Sequence, residues 1–186
     1  MIQHHQGKFL LGGLAAVLIA GCASTNMNGG IETASAKFIN TDGEVIGSAE
    51  LTSGPHGTVV RVDIEALSDG GRFHAMHIHS VGDCSDPEQG FLASGGHLNP
   101  YGREHGLLNP AGIDAGDFAN LYAHEGGVVR QELFTHLATL DGSHGARILG
   151  ETGAALVIHA NEDDHMTQPI GGAGARIACG VIEPWG

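Results

Sequence analysis

His77 and His79 stand one residue apart in Met76-His77-Ile78-His79. On a strand, residues i and i+2 point to the same face, so both imidazoles project together while Met76 and Ile78 face the other way. That is how a sheet presents two nitrogen donors to one metal ion. A lone His-x-His pair is common without any metal, so the company it keeps decides its meaning. His97 lies in Ser94-Gly95-Gly96-His97-Leu98-Asn99-Pro100 and His105 follows eight residues later. Asp117 sits in Ala115-Gly116-Asp117, and His159 closes the apolar run Ala155-Leu156-Val157-Ile158-His159. The chain has 13 histidines, and surface chance does not account for the cluster from His74 to His105.

The elements that must carry these side chains read as short strands. Residues 34–40 precede the hairpin signal Asp42-Gly43, and 45–52 follow it. Residues 58–66 alternate Val, Arg, Val, Asp, Ile, Glu, a half-buried strand period. Further strands are expected at 72–79, 118–123, 128–135, 155–160 and 176–182, and no stretch carries a sustained helical stripe. Seven or eight short strands between turns predict an all-β domain, an antiparallel sandwich or Greek-key barrel. Two segments, 83–117 and 161–175, break the rhythm. They are long, rich in Gly, Asp, Pro and His, and hold much of the histidine and aspartate cluster, which marks them as functional loops. No internal repeat or second domain is evident.

Composition bounds the rest. With 21 acidic and 8 basic residues the formal charge is −13, which argues against a nucleic-acid partner. The 31 glycines without a Gly-X-Y period indicate many turns and shaped loops. Lys8 and the twelve-residue apolar run 9–20 form a signal segment, too short to span a bilayer, which needs about 20 residues. The run ends in Ile19-Ala20-Gly21-Cys22, which resembles a bacterial lipobox and predicts lipidation of Cys22 after removal of residues 1–21. Residues 22–32 then form a polar tether, and 33–186 the domain. The expected location is the periplasm or cell envelope, with the membrane engaged by the lipid anchor alone. The mature chain carries seven basic and 21 acidic residues, a charge of −14. Cys84 and Cys179 remain, and two cysteines in an exported chain read as one disulfide.

Taken together, the paired-His strand, the Gly95-Gly96-His97-Leu98-Asn99-Pro100 loop and the terminus Arg176-Ile177-Ala178-Cys179-Gly180-Val181-Ile182 closely resemble the copper/zinc superoxide dismutase family, over essentially all of residues 33–183. The resemblance implies an eight-stranded antiparallel Greek-key β-barrel. It implies copper held by His77, His79, His97 and His159, a nitrogen set that suits Cu(II). His97 would bridge to zinc as an imidazolate, with His105 and Asp117 as further zinc ligands. Asp163 matches the aspartate that ties a copper histidine to a zinc histidine. Cys84–Cys179 matches the family disulfide. Arg176 would hold superoxide beside copper, and His97 would relay a proton, while copper cycles between two oxidation states and superoxide leaves as O2 and peroxide. His74 matches a structural histidine. His56, His124, His136, His144 and His165 are expected to be exposed and metal-free.

The chain departs from the family pattern at the zinc side. In Gly112-Ile113-Asp114-Ala115-Gly116-Asp117, Asp114 stands where a third zinc histidine is usual, so Asp114 is the candidate fourth zinc ligand. Ile170 stands where a threonine is typical at the rim. Two competing readings follow: a non-catalytic copper-binding lipoprotein on the same barrel, and a copper-only dismutase. Retention of all four copper histidines and Arg176 favours the enzyme. Nothing in the sequence chooses between monomer and homodimer.

Overall fold

The structure is a computed structural model and describes residues 32–185 together with Met1. Apart from Met1, the expected signal segment 1–21, Cys22 and all of the tether before Glu32 lie outside the described residues. Among the described residues eleven strands follow in order: β1 Glu32–Asn40, β2 Val45–Gly54, β3 Gly57–Ile64, β4 Arg72–His74, β5 Met76–His79, β6 Leu121–Ala123, β7 Val129–Thr135, β8 Ala138–Thr139, β9 Ala146–Arg147, β10 Ala155–His159 and β11 Arg176–Pro184.

Seven of them form one antiparallel sheet in the order β5-β10-β11-β1-β2-β3-β7. β4 and β5 are one extended run that changes partner at Ala75. Before it, β4 pairs with β6; after it, β5 pairs with β10. Ala75 sits at the switch: its N–H donates to Asn161 O and its carbonyl accepts from His159 N at the end of β10. Counting β4/β5 once and leaving aside the separate two-residue pair β8–β9 gives the eight strands of the expected barrel. The β6–β7 seam closes it, with His124 N on Val128 O at the turn. Further along that seam the Gln131 amide substitutes for a ladder, accepting from Tyr122 N and donating to Asn120 O. The chain runs β1-β2-β3 as a meander, then crosses to β4 instead of its neighbour β7, the Greek-key step.

Alternation explains the interior. Val60, Val62 and Ile64 of β3 and Leu51 of β2 point inward, beside Phe38, Met76, Ile78, Leu156 and Ile158. β5 and β10 differ, since every residue in both is buried. Their inner residues join the main core. Their outer residues lie beneath the two long loops, where Ala155 and Val157 pack with Phe91, Cys84 and Cys179 as a second small cluster. The outer faces of these two strands therefore supply a dry surface for polar side chains.

Two expectations need correction. The strand expected over 118–123 begins only at Leu121, because Phe118 turns into the core and the Asn120 side chain is committed to the backbone of Asp163. The parallel pair β8–β9 was not foreseen, since two-residue strands are too short to show alternation. It buries Ala138, Leu140, Ala146 and Ile148 against the core.

Candidate metal centre

The register of β5 against β10 sets the first three nitrogen donors. Val157 lies opposite His77 and Ala155 opposite His79, so both histidines share the outer face with those residues. His159 is two residues beyond Val157 and falls on the same face, its ring centroid 5.0 Å from that of His77. The opposite edge of β5 receives the loops. Ser80 N donates to Gly96 O and Leu98 N to Ile78 O, which lays His97 beside His79. Ile78 N donates to Gly116 O, which lays Asp117 beside His77. Two stretches of the 83–117 loop thus reach the centre by adding to one short strand.

Each of the four histidines has one ring nitrogen engaged and the other free. His77 Nε2 is 2.9 Å from Asp163 Oδ2, and His79 Nδ1 is 2.9 Å from Gly95 O. His97 Nδ1 is 2.9 Å from Asp114 Oδ2, and His159 Nδ1 is 3.2 Å from Gly174 O. The remaining four nitrogens, His77 Nδ1 and Nε2 of His79, His97 and His159, are buried without a hydrogen-bond partner. Buried polar atoms are rarely left unpaired. Here the carbonyls and carboxylates fix the proton on the outer nitrogen of each ring and leave the inner lone pair exposed to its fellows. The four residues offer donor atoms within 4.8 Å of one another. That set fits Cu(II), which favours imidazole nitrogen.

A second donor set adjoins it. His105 Nδ1 lies 2.6 Å from Asp117 Oδ1, and His97 Nδ1 lies 3.6 Å from the same oxygen. Asp114 Oδ2, 2.9 Å from His97 Nδ1, is 4.0 Å from His105 Nδ1. By mutual distance alone His77 groups with His97, His105 and Asp117 and Asp114 does not. The hydrogen bonding argues otherwise: His77 Nε2 is held by Asp163, and its only free nitrogen belongs to the first set. His97, His105, Asp117 and Asp114 offer two nitrogens and two oxygens, a donor set that suits zinc. Only His97 contributes to both sets, with Nε2 on one side and Nδ1 on the other.

Asp163 joins the two sides from behind, accepting at Oδ2 from His77 and at Oδ1 from His105 Nε2 at 3.0 Å. It is buried, and a side chain on Gly171 would collide with its carboxylate. Asn120 clamps its backbone, donating to Asp163 O and accepting from Asp163 N. Gln168 does the same for His105, accepting from its N–H and donating to its carbonyl. Neither amide was singled out from the sequence, and no local signal could have found them: their partners are 43 and 63 residues away.

The charge states divide by position. Burial keeps His77 well below its ordinary pKa, and burial, then Arg176, lowers His79 to about 2. Burial and the neighbouring His77 lower His159 to about 3. On the other side burial also opposes charge, but the carboxylates outweigh it. Asp114 and Asp117 raise His97, and Asp117 and Asp163 push His105 up to about 10. The His105 and His77 hydrogen bonds in turn hold Asp163 well below the usual carboxylate range, against its desolvation. Of the four rings facing one metal position, His77, His79 and His159 are held neutral, and His97 shares in the cation–anion cluster that faces the other.

A cleft of about 340 Å³ opens over the centre, lined by His79, His97, His159, Asp114, Arg103 and Arg176 among others. Arg176 is held by backbone carbonyls: Nη1 donates to Phe91 O at 2.6 Å and Nη2 to Gly95 O at 2.8 Å. Phe91 presents its carbonyl from a left-handed turn at φ 55°, with its ring fully buried in the second cluster. Cys84 and Cys179 form a disulfide with Cα atoms 5.8 Å apart, tying the segment before Phe91 to β11. His74 is fully buried, Nδ1 2.8 Å from His159 O and Nε2 3.1 Å from Asp69 O. His56, His124, His136 and His144 are exposed, as expected. His165 is not: it is part-buried at φ 61°, with Nε2 against the Asn120 amide and Nδ1 3.6 Å from Asp163 Oδ2. The turn that places Asp163 draws His165 inward with it.

A family profile described as copper/zinc superoxide dismutase matches residues 45–182. A superoxide dismutase [Cu-Zn] 2 of Aquifex aeolicus is 42% identical over 175 residues, 94% of this chain and 99% of that one. A superoxide dismutase [Cu-Zn] of Caulobacter vibrioides is 42% identical over 144 residues, 76% of this chain and 80% of that one. The crystal structure of a SOD-like protein from Bacillus subtilis matches with a TM-score of 0.74 at 34% identity, covering 79% of this chain and 96% of that one. The chain belongs to the copper/zinc superoxide dismutase family.

Proposed function

We propose that the protein is a superoxide dismutase that converts two superoxide ions and two protons into O2 and hydrogen peroxide. The observation that carries this reading is the set of four buried, unpartnered imidazole nitrogens, each with its proton fixed on the opposite side of the ring. His77, His79, His97 and His159 would hold copper; His97, His105, Asp117 and Asp114 would hold zinc. Bound copper would supply the one-electron chemistry that this dismutation needs.

The chain's own residues do the rest. Arg176 offers a permanent positive charge at the cleft and binds the anion through the N–H groups its carbonyl partners leave over. Its local field offsets the repulsion of a strongly acidic chain, since charges beyond about 10 Å are screened at moderate salt. His97 borders the cleft and its buried Nε2 lacks a protein partner, so that nitrogen is the atom that carries a proton to the departing peroxide. Asp163 keeps the His77 and His105 rings oriented from behind. Ile170 lines one wall of the cleft without adding charge.

The disulfide fits an exported protein. In this reading residues 1–21 are removed, Cys22 carries the lipid, and the domain from residue 33 works at the cell envelope. Metal analysis of the purified protein beside a superoxide consumption assay tests the function. One copper and one zinc per chain with rapid consumption is the expected result; a copper-loaded protein that leaves superoxide untouched overturns it.

A further inference from the structure

Ser94 is the last residue of a single 3-10 turn, Leu92–Ser94, and is fully buried. Its hydroxyl has one hydrogen and two lone pairs. The hydrogen goes to Phe91 O at 2.8 Å. One lone pair accepts from Arg176 Nη1 at 3.1 Å. The other faces His79 Nδ1 at 3.2 Å, whose hydrogen is shared with Gly95 O at 2.9 Å. One small hydroxyl therefore touches both the guanidinium of the cleft and an imidazole of the copper-side set, with its bonding capacity filled.

The guanidinium shows why this matters. It carries five N–H bonds in a plane. Nη1 donates to Phe91 O and to Ser94 Oγ, and Nη2 donates to Gly95 O. Nε–H has no protein acceptor, and Nε and Nη2 share one edge of the group, the fork that grips a small anion. Removing the Ser94 oxygen takes one of its two acceptors from Nη1 in a part-buried place. The group can regain an acceptor only by turning in its own plane, and that turns the fork. His79 is less affected, because Gly95 O still fixes its proton on Nδ1 and its Nε2 lone pair stays available.

We infer that Ser94 is a positioning residue for the anion site: its buried hydroxyl sets which edge of Arg176 faces the cleft and couples that edge to His79. The inference rests on the dismutase reading of the cleft. It separates two properties that a merely structural serine would lose together: anion affinity falls while copper binding stays.

The test uses the copper- and zinc-loaded full chain with azide, a small monoanion whose binding is followed in the visible spectrum. Ser94→Ala should bind azide roughly 5–10-fold more weakly, the effect of one buried hydrogen bond, with copper content unchanged. Ser94→Thr keeps the hydroxyl and should bind within about twofold of the wild type; if its extra methyl prevents folding, Ser94→Cys, a weaker acceptor, should fall between Ala and Ser. In the reduced protein, ¹⁵N–¹H spectra should show faster rotation about the Arg176 Cζ–Nη1 bond in Ser94→Ala. Wild-type azide affinity in Ser94→Ala, or equal loss in Ala and in the folded Thr or Cys variant, overturns the assignment. A wild type that binds copper and azide but consumes no superoxide overturns the dismutase reading instead, and the azide series still decides on Ser94.

Discussion

Asp114 Oδ2 lies 2.9 Å from His97 Nδ1, with both side chains almost wholly buried. A carboxylate thus faces the one ring that contributes to both donor sets. A histidine there would be a neutral donor; Asp114 brings a second negative charge beside Asp117. The pair also explains why His97 favours its proton although burial opposes it.

Asp114→Ala should lower zinc affinity by roughly 10-fold or more, the scale of losing a group that orients or completes a metal site, without stripping copper. Asp114→His should retain zinc. Chelator competition against each variant measures this. Unaltered zinc affinity in Asp114→Ala removes Asp114 from the zinc set and points to a copper-only enzyme.

Arg176→Glu should reduce the second-order rate by about two orders of magnitude or more through lost attraction and added repulsion, with copper content nearly unchanged. Arg176→Lys should be milder, keeping the charge but not the fork. Stopped-flow superoxide decay at low salt reads both. A wild-type rate in Arg176→Glu would show that the anion is guided elsewhere.

The metal-free protein should be most stable near neutral pH. Burial lowers the pKa of His79 to about 2 and of His159 to about 3, so below their ordinary value near 6.5 the unfolded chain takes up protons the fold refuses. Stability therefore drops as pH falls, by roughly 1–2 kcal/mol per such histidine at pH 5. His105, raised to about 10, works the other way: its contribution is full below 6.5 and is lost as pH rises towards 10. Melting temperatures of the stripped protein across this range should pass through a maximum. A steady rise from pH 7 down to pH 5 would contradict the buried neutral rings.

Reducing Cys84–Cys179 should cost roughly 4–5 kcal/mol in the chain-entropy picture, since it closes a long loop. Activity should fall further than stability alone explains, because the segment released from β11 carries the Phe91 and Gly95 carbonyls that hold Arg176. Thermal melts and assays of Cys84→Ser under metal-saturating conditions check this. An unchanged rate in the folded variant would mean that the loop stays in place without the bond.

Cys22→Ser should move the protein from the membrane to the soluble fraction while leaving the specific activity of folded protein intact, since stable anchoring needs two acyl chains or more. Mass spectrometry of the mature N-terminus reads the modification directly. An unmodified Cys22 or cleavage elsewhere would refute the anchor.

What the sequence by itself determined is local. Strand alternation set His77 and His79 on one face, apolar runs marked most of the barrel, and two histidine-bearing glycine-rich stretches stood out as loops. These are legible because a period of two, or a cluster of turn residues, is written within a few positions. The resemblance extended that reading to the donor sets and to Arg176. The tertiary structure alone decided the rest. Ala75 changes the strand's partner from β6 to β10, Asn120 and Gln168 clamp the backbones of Asp163 and His105, His165 turns inward, and Ser94 joins Arg176 to His79. Each of these depends on a partner tens of residues away. A buried hydrogen bond is specified by where two chain segments meet, and no local pattern of residue types records that meeting.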